Sequence, residues 1–317
     1  MANIMLIFKP LNYYFILLLA LVISLNVSAM EKIIPSALIT ADWLAENLDQ
    51  VKILDVRKDI DSFTKTGHID GAVLVNVKKI RVTRVFEGVK LTRMIPDQKA
   101  FDKFIGLHGI NSNDVIVLTH QGNTPGQVAG AARLYWQFKY YGYQQVALLD
   151  GGNTAWANAL EDLVMESSEF KAGVFETRTE NLNILAKLMD VKTAMQDNSA
   201  TLIDTRELRF HVGLGKRDYV FAYGHIPGSK NVPYQFLTQA KGVQTFLQKD
   251  ELVKAFKSLN VDPEKPAIMY CNSAFECSSV WFVLHEILGN KKARIYDGSL
   301  HEWTMDINRP MTTQIGL

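Results

Sequence analysis

The chain of 317 residues holds only two cysteines, Cys271 and Cys277. For a protein of this size that is too few for a disulfide framework, so the pair calls for a chemical explanation. Charge of one sign is equally scarce: 34 basic side chains face 33 acidic ones, a formal net charge of +1. That balance gives no electrostatic case for nucleic acid or for an acidic membrane surface. His108, His211, His285 and His301 fall in no metal-ligand spacing, so no metal is expected. The glycines of Gln121-Gly122-Asn123-Thr124-Pro125-Gly126 are not followed by Gly-Lys-Ser/Thr, which excludes a phosphate-binding loop of that kind.

One long apolar run is present, from Tyr13 to Leu25, with Lys9 ahead of it and Val27-Ser28-Ala29 behind. It is shorter than the ~20 residues of a spanning helix, and small or aliphatic residues stand where a signal peptidase cuts. Residues 1–29 therefore read as a cleaved secretory signal, with an uncleaved membrane anchor as the alternative. The protein is expected to be periplasmic or secreted, touching a membrane only through that segment.

The remainder repeats itself. Val51-Lys52-Ile53-Leu54-Asp55-Val56-Arg57 is matched by Ala200-Thr201-Leu202-Ile203-Asp204-Thr205-Arg206, and Gly67-His68-Ile69-Asp70-Gly71 by Gly224-His225-Ile226-Pro227-Gly228. Asp150-Gly151-Gly152 with Trp156 is matched by Asp297-Gly298-Ser299 with Trp303. Short apolar runs of strand length (Val115 to Thr119, Val146 to Leu149, Ala267 to Tyr270, Ala293 to Tyr296) alternate with helical segments at Val128 to Tyr140 and Ser278 to Leu288. This predicts two similar α/β domains, each a mostly parallel sheet with helices on both faces. The domains are placed at 30–165 and 183–317. The linker, 166–182, lies in the polar stretch after Glu161.

Cys271 ends one of the predicted strands, and a helix is expected to start near Cys277 or Ser278. Binding sites of open parallel sheets lie at the carboxyl ends of strands. Loop amides and the helix N-terminus converging there cradle an anion and favour a thiolate. The pattern points to nucleophilic chemistry on a sulfur- or phosphorus-centred substrate. Cysteine phosphatases clamp phosphate with an arginine six residues after the nucleophile; here that place holds Cys277, which weakens that reading.

With its Asp-x-Arg strand ends, Gly-His-Ile-x-Gly turns, Cys271 loop and Asp297-Gly298-Ser299 before Trp303, the chain resembles the tandem-domain rhodaneses. These are sulfurtransferases of the thiosulfate or 3-mercaptopyruvate type. The resemblance implies that Cys271 takes a sulfane sulfur from an anionic donor as a persulfide and passes it to a thiol or cyanide-like acceptor. It implies no cofactor. It assigns Asn272, Ser273, Ala274, Phe275 and Glu276 to an anion cradle, and Arg209 to the donor, one position out of register. The first domain is expected to be non-catalytic: His120 falls near the nucleophile's place, followed by a longer loop from Gln121 to Gln127. The Cys271 loop departs from the family pattern. It lacks the basic residues of thiosulfate-type loops, has Ala274 where glycine is common, and carries the acidic Glu276. Two alternatives stay open. One is a redox-active dithiol using Cys271 and Cys277; the other is a sulfur- or anion-binding module with weak turnover. Asp204, Arg206, His68, His225, Trp156 and Trp303 are expected to be structural.

Overall fold

The computed structural model describes residues 34–315 except Glu87 and Leu160, so the signal segment inferred at 1–29 lies outside the described residues. The first repeat supplies β1 (Leu38–Ile39), β2 (Lys52–Arg57), β3 (Val73–Asn76), β4 (Val82–Phe86), β5 (Val89–Met94), β6 (Ile116–Thr119) and β7 (Val146–Leu149). The second supplies β8 (Leu185–Ala186), β9 (Thr201–Asp204), β10 (Lys230–Asn231), β11 (Ala267–Tyr270) and β12 (Ala293–Tyr296). Each repeat forms a five-stranded sheet, ordered β1-β7-β6-β2-β3 and β8-β12-β11-β9-β10. Every pairing within the two sheets is parallel. Matched strand for strand, the two orders are the same: the duplicated sequence is a duplicated α/β fold. The central strands β6 and β11 are buried at every residue, as expected of parallel strands covered on both faces.

The Asp-x-Arg motif and the Gly-His turn form one device, built twice. Asp55 and Asp204 each hold the arginine two residues on, at 2.7 and 2.6 Å, with all four side chains buried. Nη2 of Arg57 donates onward to the carbonyl of Gly67, and Nη2 of Arg206 to that of Gly224, each at 2.7 Å. The ion pair thereby ties a strand end to the turn. Both glycines have positive φ, and a Cβ on Gly224 would stand 2.0 Å from the Thr312 carbonyl oxygen. Glycine is required there on both counts. His68 and His225 hydrogen-bond to the carbonyls of Phe63 and His211 and stack on the rings of those residues, the structural role expected. Trp156 and Trp303 are core.

The helix Pro125–Tyr140 is buried on nearly every side because it is wedged between its own sheet and the helix Cys277–Phe282 of the second domain. Tyr135 meets Phe282 edge-on, ring centroids 4.8 Å apart. A single apolar cluster runs through this contact, from Leu54 and Leu118 to Met269 and Ile295, so the two domains share a core. The first-domain helix starts at Pro125, whose fixed φ suits the first helical position. The loop after His120 is therefore shorter than the sequence suggested. The segment Ser278 to Leu288 is α-helical only to Phe282; Val283–Ile287 is wound as a π-helix, closed by the Leu288 amide on the Val283 carbonyl at 2.8 Å.

An element the periodicity did not announce is the antiparallel hairpin β4–β5. It leaves the first domain and closes against the second. Gln137 Nε2 holds the Ile80 carbonyl at 2.7 Å just before it, while the Thr92 amide donates to His301 Nε2 at 3.1 Å and the Ile95 amide to Asp297 Oδ2 at 2.9 Å. Among the described residues no helix is long and apolar enough to cross a membrane.

Candidate active site

Cys271 directly follows β11, at the carboxyl end of the central strand of the second sheet, and is fully buried. Parallel pairing of Tyr270 with Asp204 sets the height at which the chain leaves the sheet. From there it curls back on itself. Ala274 takes φ +51°, a left-handed conformation in which a non-glycine residue is strained, and the Phe275 amide consequently donates to Cys271 Sγ at 3.2 Å. Ser299, itself at φ +50°, pins the curl: its Oγ accepts from the amides of Cys271, at 3.2 Å, and Ala274, at 3.0 Å, and donates to the Tyr296 carbonyl. Leu300 and His301 add amide bonds to the carbonyls of Cys271 and Asn272. Asp297-Gly298-Ser299, whose first-domain counterpart is Asp150-Gly151-Gly152, thus serves as the clamp of the cysteine loop.

The assigned cradle residues divide by role. Phe275 supplies the amide that meets sulfur, whereas the Ala274 amide is turned to Ser299. Asn272 and Ser273 are buried. Ser273 Oγ lies 3.5 Å from Tyr219 Oη and 3.3 Å from Arg81 Nη1. Glu276 directs a carboxylate oxygen, Oε2, into the interior without a hydrogen-bond partner among the described residues, and its charge is felt by Arg81, Tyr219 and Tyr234. Arg209 shows no contact with the loop: it is exposed on the helix Leu208–His211, its guanidinium is 5.7 Å from the Phe210 ring, and its side chain makes no hydrogen bond among the described residues.

Cys277 opens the helix behind the loop, also fully buried, and both cysteines are free thiols. Burial first, and then the neighbouring Cys271 thiol, within hydrogen-bonding reach, push the Cys277 thiol well up. It is accordingly held as the neutral thiol.

Three first-domain residues that sequence reasoning missed complete the site. Arg81 bonds Ser273 and lies 4.8 Å from the Phe275 ring centroid. Arg133 pairs with Asp297 at 2.5 Å. Gly130 admits Phe275: a Cβ there would meet the Phe275 ring at 3.4 Å and Val77 at 3.2 Å. The matching place in the first domain holds His120, buried and held neutral by that burial, its pKa lowered to about 3. The first domain has no thiol there to carry sulfur.

Comparison with known proteins agrees with this architecture. Residues 40–159 and 188–306 each match the rhodanese-like domain family. A putative thiosulfate sulfurtransferase of Mycolicibacterium smegmatis is 32% identical over 281 residues, covering 86% of this chain and 96% of that protein. The sulfur carrier protein TtuD of Thermus thermophilus is 31% identical, covering 85% and 94%. The crystal structure of the 3-mercaptopyruvate sulfotransferase SseA from Escherichia coli superposes with a TM-score of 0.70 at 26% identity, over 83% of this chain and 98% of that one. With two rhodanese-like domains in one polypeptide and full-length similarity to such proteins, the chain belongs to the tandem-domain rhodanese family of sulfurtransferases.

Proposed function

We propose that the protein moves a sulfane sulfur from an anionic donor, of the thiosulfate or 3-mercaptopyruvate kind, to a thiophilic acceptor through a persulfide on Cys271. The observation that carries this reading is the Phe275 amide aimed at Cys271 Sγ from a loop clamped by Ser299. An N–H fixed on sulfur stabilises negative charge there, on the thiolate before transfer and on the persulfide after it. The Cys271 thiolate attacks the outer sulfur of the donor. A new S–S bond forms as the donor's own bond to that sulfur breaks, and the remainder leaves with the electron pair, as sulfite or pyruvate enolate. The acceptor then attacks the terminal sulfur and Cys271 leaves as thiolate, so the cycle is ping-pong and needs no organic carrier.

The test is intact-protein mass spectrometry after thiosulfate and, separately, 3-mercaptopyruvate. The reading expects a gain of one sulfur that disappears on adding cyanide or a thiol and never appears in Cys271→Ser. Failure of both donors to load sulfur would remove it. The contact between the two thiols keeps a second reading in view, a dithiol in which an oxidant takes two hydrogens from Cys271 and Cys277. Cys277→Ser separates the two, since a persulfide carrier tolerates it and a dithiol exchanger does not.

A further inference from the structure

The Cys271 loop has no cation of its own: Asn272, Ser273, Ala274 and Phe275 are neutral and Glu276 is acidic. An anionic donor approaching the second domain alone would meet a carboxylate. The guanidinium that does reach the loop comes from the first domain. Arg81 Nη1 donates to Ser273 Oγ at 3.3 Å, and the Arg81 guanidinium carbon lies 4.8 Å from the Phe275 ring centroid, so the charge sits beside the second and fourth residues after Cys271. Its placement is rigid, because Arg81 follows the anchored Ile80 and precedes the hairpin that His301 and Asp297 fasten at its far end.

That charge is only partly balanced by protein: Cys271, Tyr219 and Glu276 favour it through space without a direct ion pair. No ion pair joins Arg81 to a carboxylate among the described residues, and its buried Nε has no protein acceptor. Burial, then the nearby Arg133, act to lower its pKa, yet a guanidinium stays charged in proteins. A half-buried cation with no direct ion pair is incompletely solvated, and the aromatic face of Phe275 offsets only part of that. An arriving anion offsets more.

We propose that Arg81, reaching across from the otherwise non-catalytic domain, is the specificity-determining cation that admits anionic sulfur donors to Cys271. It replaces charge that the loop lacks. The proposal rests on the reading of Cys271 as the nucleophile, but its test does not require sulfur transfer.

Full-length protein is alkylated at Cys271 with iodoacetamide, which is neutral, and with iodoacetate, which is anionic, and the two rates are compared. Cys271 is enclosed, so both reagents need the same opening and their ratio cancels it. Arg81→Gln is expected to lower the iodoacetate-to-iodoacetamide ratio about tenfold, while Arg81→Lys retains most of it. Equal changes in both rates, or an unchanged ratio, would mean a plug or a packing role and overturn the proposal. Should Arg81→Gln not fold, wild-type protein gives the same decision: sulfite is expected to slow iodoacetamide saturably, and no protection overturns it. With thiosulfate, Arg81→Gln raises KM more than it lowers kcat, and Arg81→Lys restores it. A protein that loads no sulfur yet shows the charge-dependent ratio loses the sulfur-transfer reading and keeps this one.

Discussion

Arg133 of the first domain and Asp297 of the second form an ion pair at 2.5 Å, with side-chain exposures of 0% and 6%. Asp297 also receives the Ile95 amide, and its neighbours Gly298 and Ser299 lead into the clamp on the cysteine loop. Domain docking and loop geometry therefore share one carboxylate. Removing one partner of a buried pair leaves the other uncompensated, so Arg133→Met is expected to cost about 3–5 kcal/mol in urea unfolding. Adding Asp297→Asn should recover part of that loss. A cost below about 1 kcal/mol for Arg133→Met would show that the pair does not hold the interface.

Ser299→Ala would leave the amides of Cys271 and Ala274 buried without an acceptor. At about 1–3 kcal/mol per unsatisfied group, a loss of roughly 2–6 kcal/mol is expected in chemical denaturation. Sulfur loading of Cys271 should slow in the same variant. Normal loading at reduced stability would separate the clamp from the chemistry.

Gly130→Val adds bulk where even one Cβ meets Val77 at 3.2 Å and Phe275 at 3.4 Å. Overpacking of this kind costs about 1–3 kcal/mol. Because Phe275 supplies the amide at Cys271 Sγ, a substitution in the first domain is expected to change the alkylation rate in the second. An unaltered rate would mean that the ring shifts without moving its backbone.

One buried and one half-buried group in the first domain, His120 and Asp150, give opposing pH dependences. Burial lowers His120 to about 3, against an ordinary 6.5, so the folded state binds fewer protons and stability falls as pH drops from about 6.5 towards 3. Burial raises Asp150 to about 6, against 3.8, so stability falls as pH rises from about 3.8 through 6. Asp150→Asn should therefore stabilise at pH 7.5, by about 1–2 kcal/mol after allowance for its partial exposure, and have little effect near pH 4. His120→Gln should flatten the acid limb. Melting temperature against pH for the two variants checks both signs.

What the sequence disclosed and what it hid divide by range along the chain. Asp204, Arg206 and Gly224 act on one another within a few turns of chain, and a motif repeated in two copies exposes them. The parallel sheets were legible for the same reason, through short apolar runs such as Ala267 to Tyr270. Arg81 and Arg133 were not. They meet Ser273 and Asp297 across 192 and 164 residues, and in one sequence such cations read as solvated charge. The hairpin that carries the chain on from Arg81 has a bulge between Val82 and Arg84, which breaks the two-residue alternation that would have signalled strands. The unusual conformation of Ala274 was signalled by its standing where glycine is common, but the residue that pins it, Ser299, was hidden because it lies 25 positions away.

The reach of the hairpin to Asp297 has a counterpart running the other way. Asp150 accepts the Phe246 amide from the second domain at 2.9 Å, as Asp297 accepts that of Ile95 from the first. Ile95 and Phe246 each stand two residues before the N-cap of a helix, at Asp97 and Gln248. Each half lends the other the same atom from the same place, the self-complementary contact of a two-fold dimer enclosed in one polypeptide. Only one side of that exchange ends at a thiol. The half without one is thus a permanent partner subunit, joined to the thiol-bearing half through Asp150 and Asp297 alike.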